Sequence, residues 1–182
     1  MAAETYNIAD LVESVVDRVP NRPASVCGSK CVTFRQLDDR ANQLAHYLQS
    51  RGVGQGDHVG LYLYNCNEYL EGTLACFKIR AVPININYRY VADELVYIFD
   101  NADIVACLHG REFIPELDKV REHLPQLKTF ISVDDDTREP LEKIGAIEDE
   151  AALQGNSVAR DFDKRSGGDL FIIYPGGTPG IP

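Results

Sequence analysis

Four small residues near the end of the chain have the types and spacing to hold a phosphate. They are Gly176, Gly177, Thr178 and Gly180, in the run from Asp169 to Pro182, DLFIIYPGGTPGIP. Glycines let a backbone approach a phosphate and turn its N–H groups toward it, and a threonine hydroxyl adds a side-chain donor. Tyr174 leads into the turn, and Leu170 to Tyr174 is β-branched and aromatic enough for a buried strand. The loop is not of the Walker A type, because no Lys-Ser or Lys-Thr follows the glycines at that spacing. Gly and Pro also mark ordinary strand-ending turns, and composition alone leaves that second reading open.

The rest of the chain reads as scaffold for that turn. Asn7 can cap a first helix whose apolar stripe is Leu11, Val12, Val15, Val16 and Val19, ended by Pro20. Ala24 to Val32 reads as a hairpin around Gly28, with Cys27 and Cys31 facing each other across it. Thr33 and Gln36 form a capping-box pair ahead of a helix that buries Leu37, Ala41, Leu44, Ala45 and Leu48. Strands are expected at 59–64, 82–86, 104–108 and 129–133, and helices at 68–80, 93–101 and 112–123. Such alternation with short connections predicts a doubly wound, mostly parallel α/β sheet with helices on both faces and its ligand end at the strands' carboxyl ends. Gly155 to Gly168 reads as a polar connection that lets the last strand be placed independently.

Length and composition bound the function. A chain of 182 residues, 45% hydrophobic and 25% charged, suggests one globular domain with a real core. The formal net charge of -10 argues against nucleic acid or an anionic membrane as partner. No apolar run reaches the roughly 20 residues needed to span a bilayer, and MAAETYNIAD lacks signal-peptide regions, so a cytoplasmic location is expected. Cys27, Cys31, Cys66, Cys76 and Cys107 are odd in number and scattered, which favours reduced thiols over a disulfide framework or a zinc site. His46, His58, His109 and His123 are dispersed and read as surface or packing residues. Asp134 to Asp136 lack the pattern of a calcium loop and read as a solvated acidic surface. Tyr88, Arg89 and Tyr90 are taken to cover the sheet edge, with Arg89 paired to a carboxylate such as Asp93, and Asn65 and Asn67 as turn and helix-cap residues.

YPGGTPGIP, at the end of the strand-like DLFIIY, resembles the phosphate loop of the adenylate-forming acyl-CoA synthetases. AVPININYRYVADEL (81–95) and GDHVGLYLYNCN (56–67) are similar to two further segments of that family, so the likeness runs collinearly from about Asn7 onward. It implies the N-terminal subdomain of a fatty-acyl-CoA synthetase, occupying 1–182 and incomplete at its C-terminal end. The family joins a carboxylic acid to CoA with ATP and Mg2+ through an acyl-adenylate. Carried over residue by residue, Tyr174, Gly176, Gly177, Thr178 and Gly180 become ATP-binding positions, and no catalytic or metal-binding residue is assigned. Two departures stand out. Pro175 and Pro179 occupy hydroxyl positions of the family, and the sequence stops at Pro182 before the family's Lys, its Thr-Glu magnesium motif and its C-terminal domain. The chain alone is therefore expected to be inactive, to hold ATP weakly, and to self-associate through apolar surface around Phe171, Ile172 and Ile173. The alternative is a truncated, non-enzymatic scaffold that docks to a partner chain. A stand-alone nucleotide-binding module fits least, for want of the Lys.

Overall fold

The computed structural model describes residues 6–174. Helix α1 (Ile8–Arg18) is followed by a hairpin, β1 (Pro23–Cys27) and β2 (Lys30–Thr33), and by the long helix α2 (Phe34–Ser50). Both helices begin at the expected caps. Asn7 and Asp10 form a reciprocal capping box at α1, and Thr33 and Gln36 form one at α2. The remaining succession is β3 (His58–Tyr62), α3 (Asn67–Lys78), β4 (Val82–Asn85), α4 (Ala92–Asn101), β5 (Ile104–Gly110), α5 (Ile114–Val120), β6 (Thr129–Val133), β7 (Ile147–Glu148), α6 (Asp149–Leu153) and β8 (Ile172–Ile173).

The second sheet has the order β7-β6-β5-β3-β4-β8, with every neighbouring pair parallel. Alternate side chains on its strands enter different cores. Tyr62 and Cys107 join Leu95, Ile98 and Phe99 of α4 and Ile114 and Leu117 of α5. Leu61, Ala106 and Leu108 join Leu44 and Leu48 of α2, Ala75 of α3 and Leu153 of α6. A parallel sheet buried on both faces by helices is the doubly wound arrangement expected from the alternation. Helix α3 comes close to the sheet at Gly72, where a Cβ would lie 2.6 Å from Leu108 Cδ2, a contact that only glycine avoids.

Several local expectations are corrected. Helix α1 buries Ala9, Glu13 and Val16 and leaves Leu11 and Val15 exposed, so its apolar stripe faces partly outward. The cause is electrostatic. Lys78, with a side chain 1% exposed, donates to Glu13 (2.5 Å) and Asp38 (2.7 Å), and Glu13 must turn inward to meet it. Arg165 grips Glu13 with both terminal nitrogens and also reaches Asp10, while Arg160 bridges Asp38 and Asp17. The 155–168 segment is therefore not free to let the last strand settle independently. Asn42 donates to the Val158 carbonyl, and His46 stacks on Phe162, which fastens the same segment along α2.

The hairpin pairs Cys27 with Lys30 and Val26 with Cys31, because the two-residue turn Gly28-Ser29 fixes that register, so Cys27 and Cys31 do not face each other. All five thiols are free. The expected helix 112–123 is divided into a 3₁₀ turn (Arg111–Phe113), α5 and a second 3₁₀ turn (Arg121–His123), with Pro115 in the first turn of α5, where its missing N–H costs nothing. Asn67 is the first residue of α3 and accepts from Ser25 Oγ (2.7 Å), tying the hairpin to that helix. Arg89 lies over the Tyr88 ring at 5.3 Å instead of pairing with Asp93. Asp135 accepts from the Glu112 and Thr137 amides, so only part of the acidic run is simple solvated surface.

Replacing Lys78 tests the buried cluster. Lys78→Met leaves Glu13 and Asp38 with the arginines alone, and it is expected to destabilise the fold by about 3–5 kcal/mol, read from urea unfolding midpoints. A shift of less than about 1 kcal/mol would show that the arginines satisfy both carboxylates unaided.

Candidate functional site

Strand β8 brings Tyr174, the leading residue of the phosphate-loop candidate, to the sheet. Ile172 and Ile173 pair with Ile84 and Asn85 of β4, in parallel, so Tyr174 emerges at the same carboxyl edge as the ends of β3, β4, β5 and β6. That is the edge at which open α/β sheets bind ligands. Tyr174 packs on the α4–α5 core and donates its hydroxyl to Asn101 Oδ1 at 2.8 Å. Burial, together with the neighbouring Tyr97 and Asp103, raises its pKa above the usual phenol value. It is an anchored ring with its hydroxyl engaged. Gly176, Gly177, Thr178 and Gly180 lie outside the described residues, as do Pro175 and Pro179.

Three further features occupy the carboxyl edge. At the ends of β3 and β4, Tyr62 donates to the Tyr90 carbonyl (2.8 Å), and the rings of Tyr62, Tyr64, Tyr88 and Phe113 form a stack with centroids 4.2–5.5 Å apart. Its outer members, Tyr64 and Tyr88, are exposed. At the ends of β5, β6 and β7, Arg111 ties Asp134, Glu148 and the Glu139 carbonyl together.

The third feature is the one that pattern reading missed. His109 and Ser132 are register partners on β5 and β6, both fully buried. His109 Nδ1 meets the Gly110 carbonyl at 2.8 Å, and a carbonyl only accepts, so Nδ1 carries the proton and Nε2 is the acceptor. Neither Nε2 nor Ser132 Oγ has a protein partner within hydrogen-bond reach. Burial pushes the imidazole down to about 4, against smaller raising effects from the Gly110 bond and Asp135. The signal was visible only as a histidine closing an apolar strand before a glycine. Among the described residues, no group of three or more His, Cys, Asp or Glu side chains is placed to hold a metal ion. Among the same residues no helix is long and apolar enough to cross a membrane.

The comparison with known proteins bears on what this edge is for. The family description "AMP-binding enzyme" matches residues 12–182. The chain belongs to the AMP-binding enzyme family. It is 49% identical over 176 residues to a 3-oxocholest-4-en-26-oate--CoA ligase of Rhodococcus rhodochrous, covering 97% of this chain and 32% of that protein. It is 42% identical to a medium/long-chain-fatty-acid--CoA/3-oxocholest-4-en-26-oate--CoA ligase of Mycobacterium marinum, covering 99% and 34%. The chain thus spans about a third of the length of the curated relatives it matches. Its fold is that of the anthranilate CoA ligase AuaEII solved with anthranoyl-AMP, with a TM-score of 0.88 at 24% identity over 97% of this chain and 33% of that one. The inhibitor-bound N-terminal domain of FACL13 from Mycobacterium tuberculosis superposes with a TM-score of 0.82 at 24% identity, covering 96% and 42%. The described part of the chain brings β8 and Tyr174 to the carboxyl edge, where open α/β sheets bind ligands.

His109 gives this region a measurable pH signature. Its folded pKa lies below that of an unfolded histidine, so the unfolded chain binds more protons between about pH 4 and 6.5 and stability falls as pH drops through that window. Asp149 works in the opposite sense over part of the range, because burial and Glu150 push it up to about 6. The difference between variants isolates the histidine. His109→Asn is expected to flatten the melting-temperature slope between pH 6.5 and 4 relative to the parent chain, and parallel slopes would mean that the imidazole is not held neutral.

Proposed function

We propose that this chain supplies the ATP phosphate-binding part of an AMP-forming acyl-CoA ligase acting on a carboxylic acid of the fatty or steroid side-chain class. One observation carries the reading: β8 ends at the carboxyl edge of a parallel sheet with Tyr174 anchored there, directly ahead of Gly176, Gly177, Thr178 and Gly180. In such a ligase the acid's carboxylate oxygen attacks the α-phosphorus of ATP, forming an acyl-adenylate and releasing pyrophosphate. The CoA thiol then displaces AMP, giving the thioester. The task of this chain is to bind the β- and γ-phosphates as charge moves onto the departing pyrophosphate, through backbone N–H groups of the glycines and the Thr178 hydroxyl. Those donors fit a phosphate and not a cation, so magnesium would arrive with the nucleotide. The names of the relatives support the substrate class. Residues 1–182 are in this reading an N-terminal subdomain, and the cytoplasm, which supplies ATP and CoA, is its compartment.

The prolines set the affinity. Hydrogen bonds to a charged group are worth about 1.5–3 kcal/mol each, and Pro175 and Pro179 offer neither N–H nor hydroxyl. Two lost bonds weaken ATP by about 3–6 kcal/mol, or about two to four powers of ten. Titrating ATP into the chain, Pro175→Thr together with Pro179→Thr is expected to recover much of that loss, each single change less. Equal affinities across the series would remove the loop from the nucleotide site. The 182-residue chain alone is expected to release no pyrophosphate from ATP with a fatty acid and CoA, and release above a heat-killed control would contradict this.

A second reading, a non-enzymatic scaffold that docks through β8, is favoured by the surface of that strand. Leu170 (60% exposed) and Phe171 (41%) just before β8, and Ile173 (60%) on it, are large apolar residues at an edge strand paired only with β4 among the described residues. Apolar patches of this kind recruit partners. The isolated chain is expected to associate with rising concentration in sedimentation and to bind a hydrophobic dye, with Ile173→Lys reducing both. A monomer at all concentrations that binds no dye would leave this reading without support.

A further inference from the structure

Strand β8 contributes only two residues to the sheet, so backbone pairing alone holds it weakly. Just before it stands Asp169, whose side chain is 5% exposed and whose two carboxylate oxygens meet donors from three separate parts of the chain. Arg80 Nε donates to Oδ1 at 3.0 Å, while Asn7 Nδ2 (3.1 Å) and the Ser166 amide (3.0 Å) donate to Oδ2. Asn7 also donates to the Phe77 carbonyl at 2.8 Å, so the N-cap of α1, the end of α3 and the start of the β8 segment meet at one carboxylate. Phe171 extends the contact through its ring, 6.3 Å from that of Phe77.

Arg80 occupies a costly conformation to take part. Its φ is +62°, in the left-handed region that favours glycine. The carbonyl of the same residue accepts from the Gly56 amide (2.9 Å), and its guanidinium also donates to Gln55 Oε1 (3.0 Å), which fixes the arginine between the turn before β3 and Asp169. Burial would raise the Asp169 pKa, but the Ser166 amide, Asn7 and Arg80 outweigh it and lower it, as expected for a carboxylate that works in its charged form. Glycine would suit the backbone at position 80 better, and it would lose the bond to Asp169.

We infer that Arg80, Asp169 and Asn7 form a positioning clamp that sets the direction and depth of β8 and thereby places the phosphate loop, which starts five residues after Asp169 at Tyr174. These are positioning residues acting through the strand and touch no substrate. The inference rests on the phosphate-loop reading for its consequence, but the clamp itself is measurable without a nucleotide.

Two variants of the 182-residue chain separate the clamp from general stability. Arg80→Gly relaxes the left-handed backbone while deleting the guanidinium, and Asp169→Asn keeps the shape while removing the charge. Each is expected to speed hydrogen exchange of the β8 amides by about ten-fold or more, with β3 and β5 amides changing by less than about two-fold and Arg80→Lys lying between. In the Pro175→Thr, Pro179→Thr background, Asp169→Asn is expected to weaken ATP binding by about ten-fold, and Arg80→Lys by less. Unchanged β8 exchange in both variants overturns the clamp. So does fast β8 exchange with undiminished ATP affinity in that background, since the strand would then be held without placing the loop. If the threonine background gains no ATP affinity, the phosphate-loop reading fails, and β8 exchange alone then decides for or against the clamp.

Discussion

A lysine ammonium in the interior of this protein governs much of what surrounds it. An unpaired charge in a medium of low polarity is very costly, so Lys78 is tolerable only with Glu13 and Asp38 in direct contact. Each carboxylate in turn takes an arginine, Arg165 on Glu13 and Arg160 on Asp38. Burial alone would raise the Glu13 pKa, yet its bonds to Arg165 and Lys78 hold it down to about 2. The pairing thus keeps Glu13 ionised at neutral pH. It orients α1 with an acidic residue inward, joins α1, α2 and α3, and straps the 155–168 segment across them.

That strap leads to the functional edge. The polypeptide leaves α6 on one side of the sheet and must reach the opposite end of the strand order to form β8 beside β4. A long connection without regular structure would be entropically expensive to order, and here the arginine pairs, the Asn42 bond to Val158 and the His46–Phe162 stack supply the compensation. The last two strand residues then meet a parallel neighbour, and Tyr174 is tied to Asn101 at the end of α4. The position of Tyr174 thus comes from side-chain contacts on three helices as much as from the sheet.

Aromatic rings from β3, the loop after β4 and the turn before α5 fill the space beside the point where the strand order reverses. The glycines and Thr178 can offer donors to a phosphate, while Pro175 and Pro179 withhold them. An AMP-binding enzyme has to bind a triphosphate firmly enough to orient it and release pyrophosphate afterward.

Much of the architecture was legible in the residues themselves. Cap residues Asn7 and Thr33 start their helices, and strand-length apolar runs alternate with helical ones, because all these signals are local. The orientation of α1 was not legible, since Leu11 and Val15 look like core until Lys78, 65 residues beyond Glu13, claims that carboxylate for the inward face. Cys27 and Cys31 looked opposed until the turn set the register to Cys27 with Lys30. The orphaned pair His109 and Ser132 exists only because β5 and β6 align those residues in register. Asp169 reads as one more loop acid until the fold brings Arg80 and Asn7 to it. Propensity and periodicity act over a few residues and so determine elements, whereas burial of charge acts between elements, and only the assembled protein decides which charges meet.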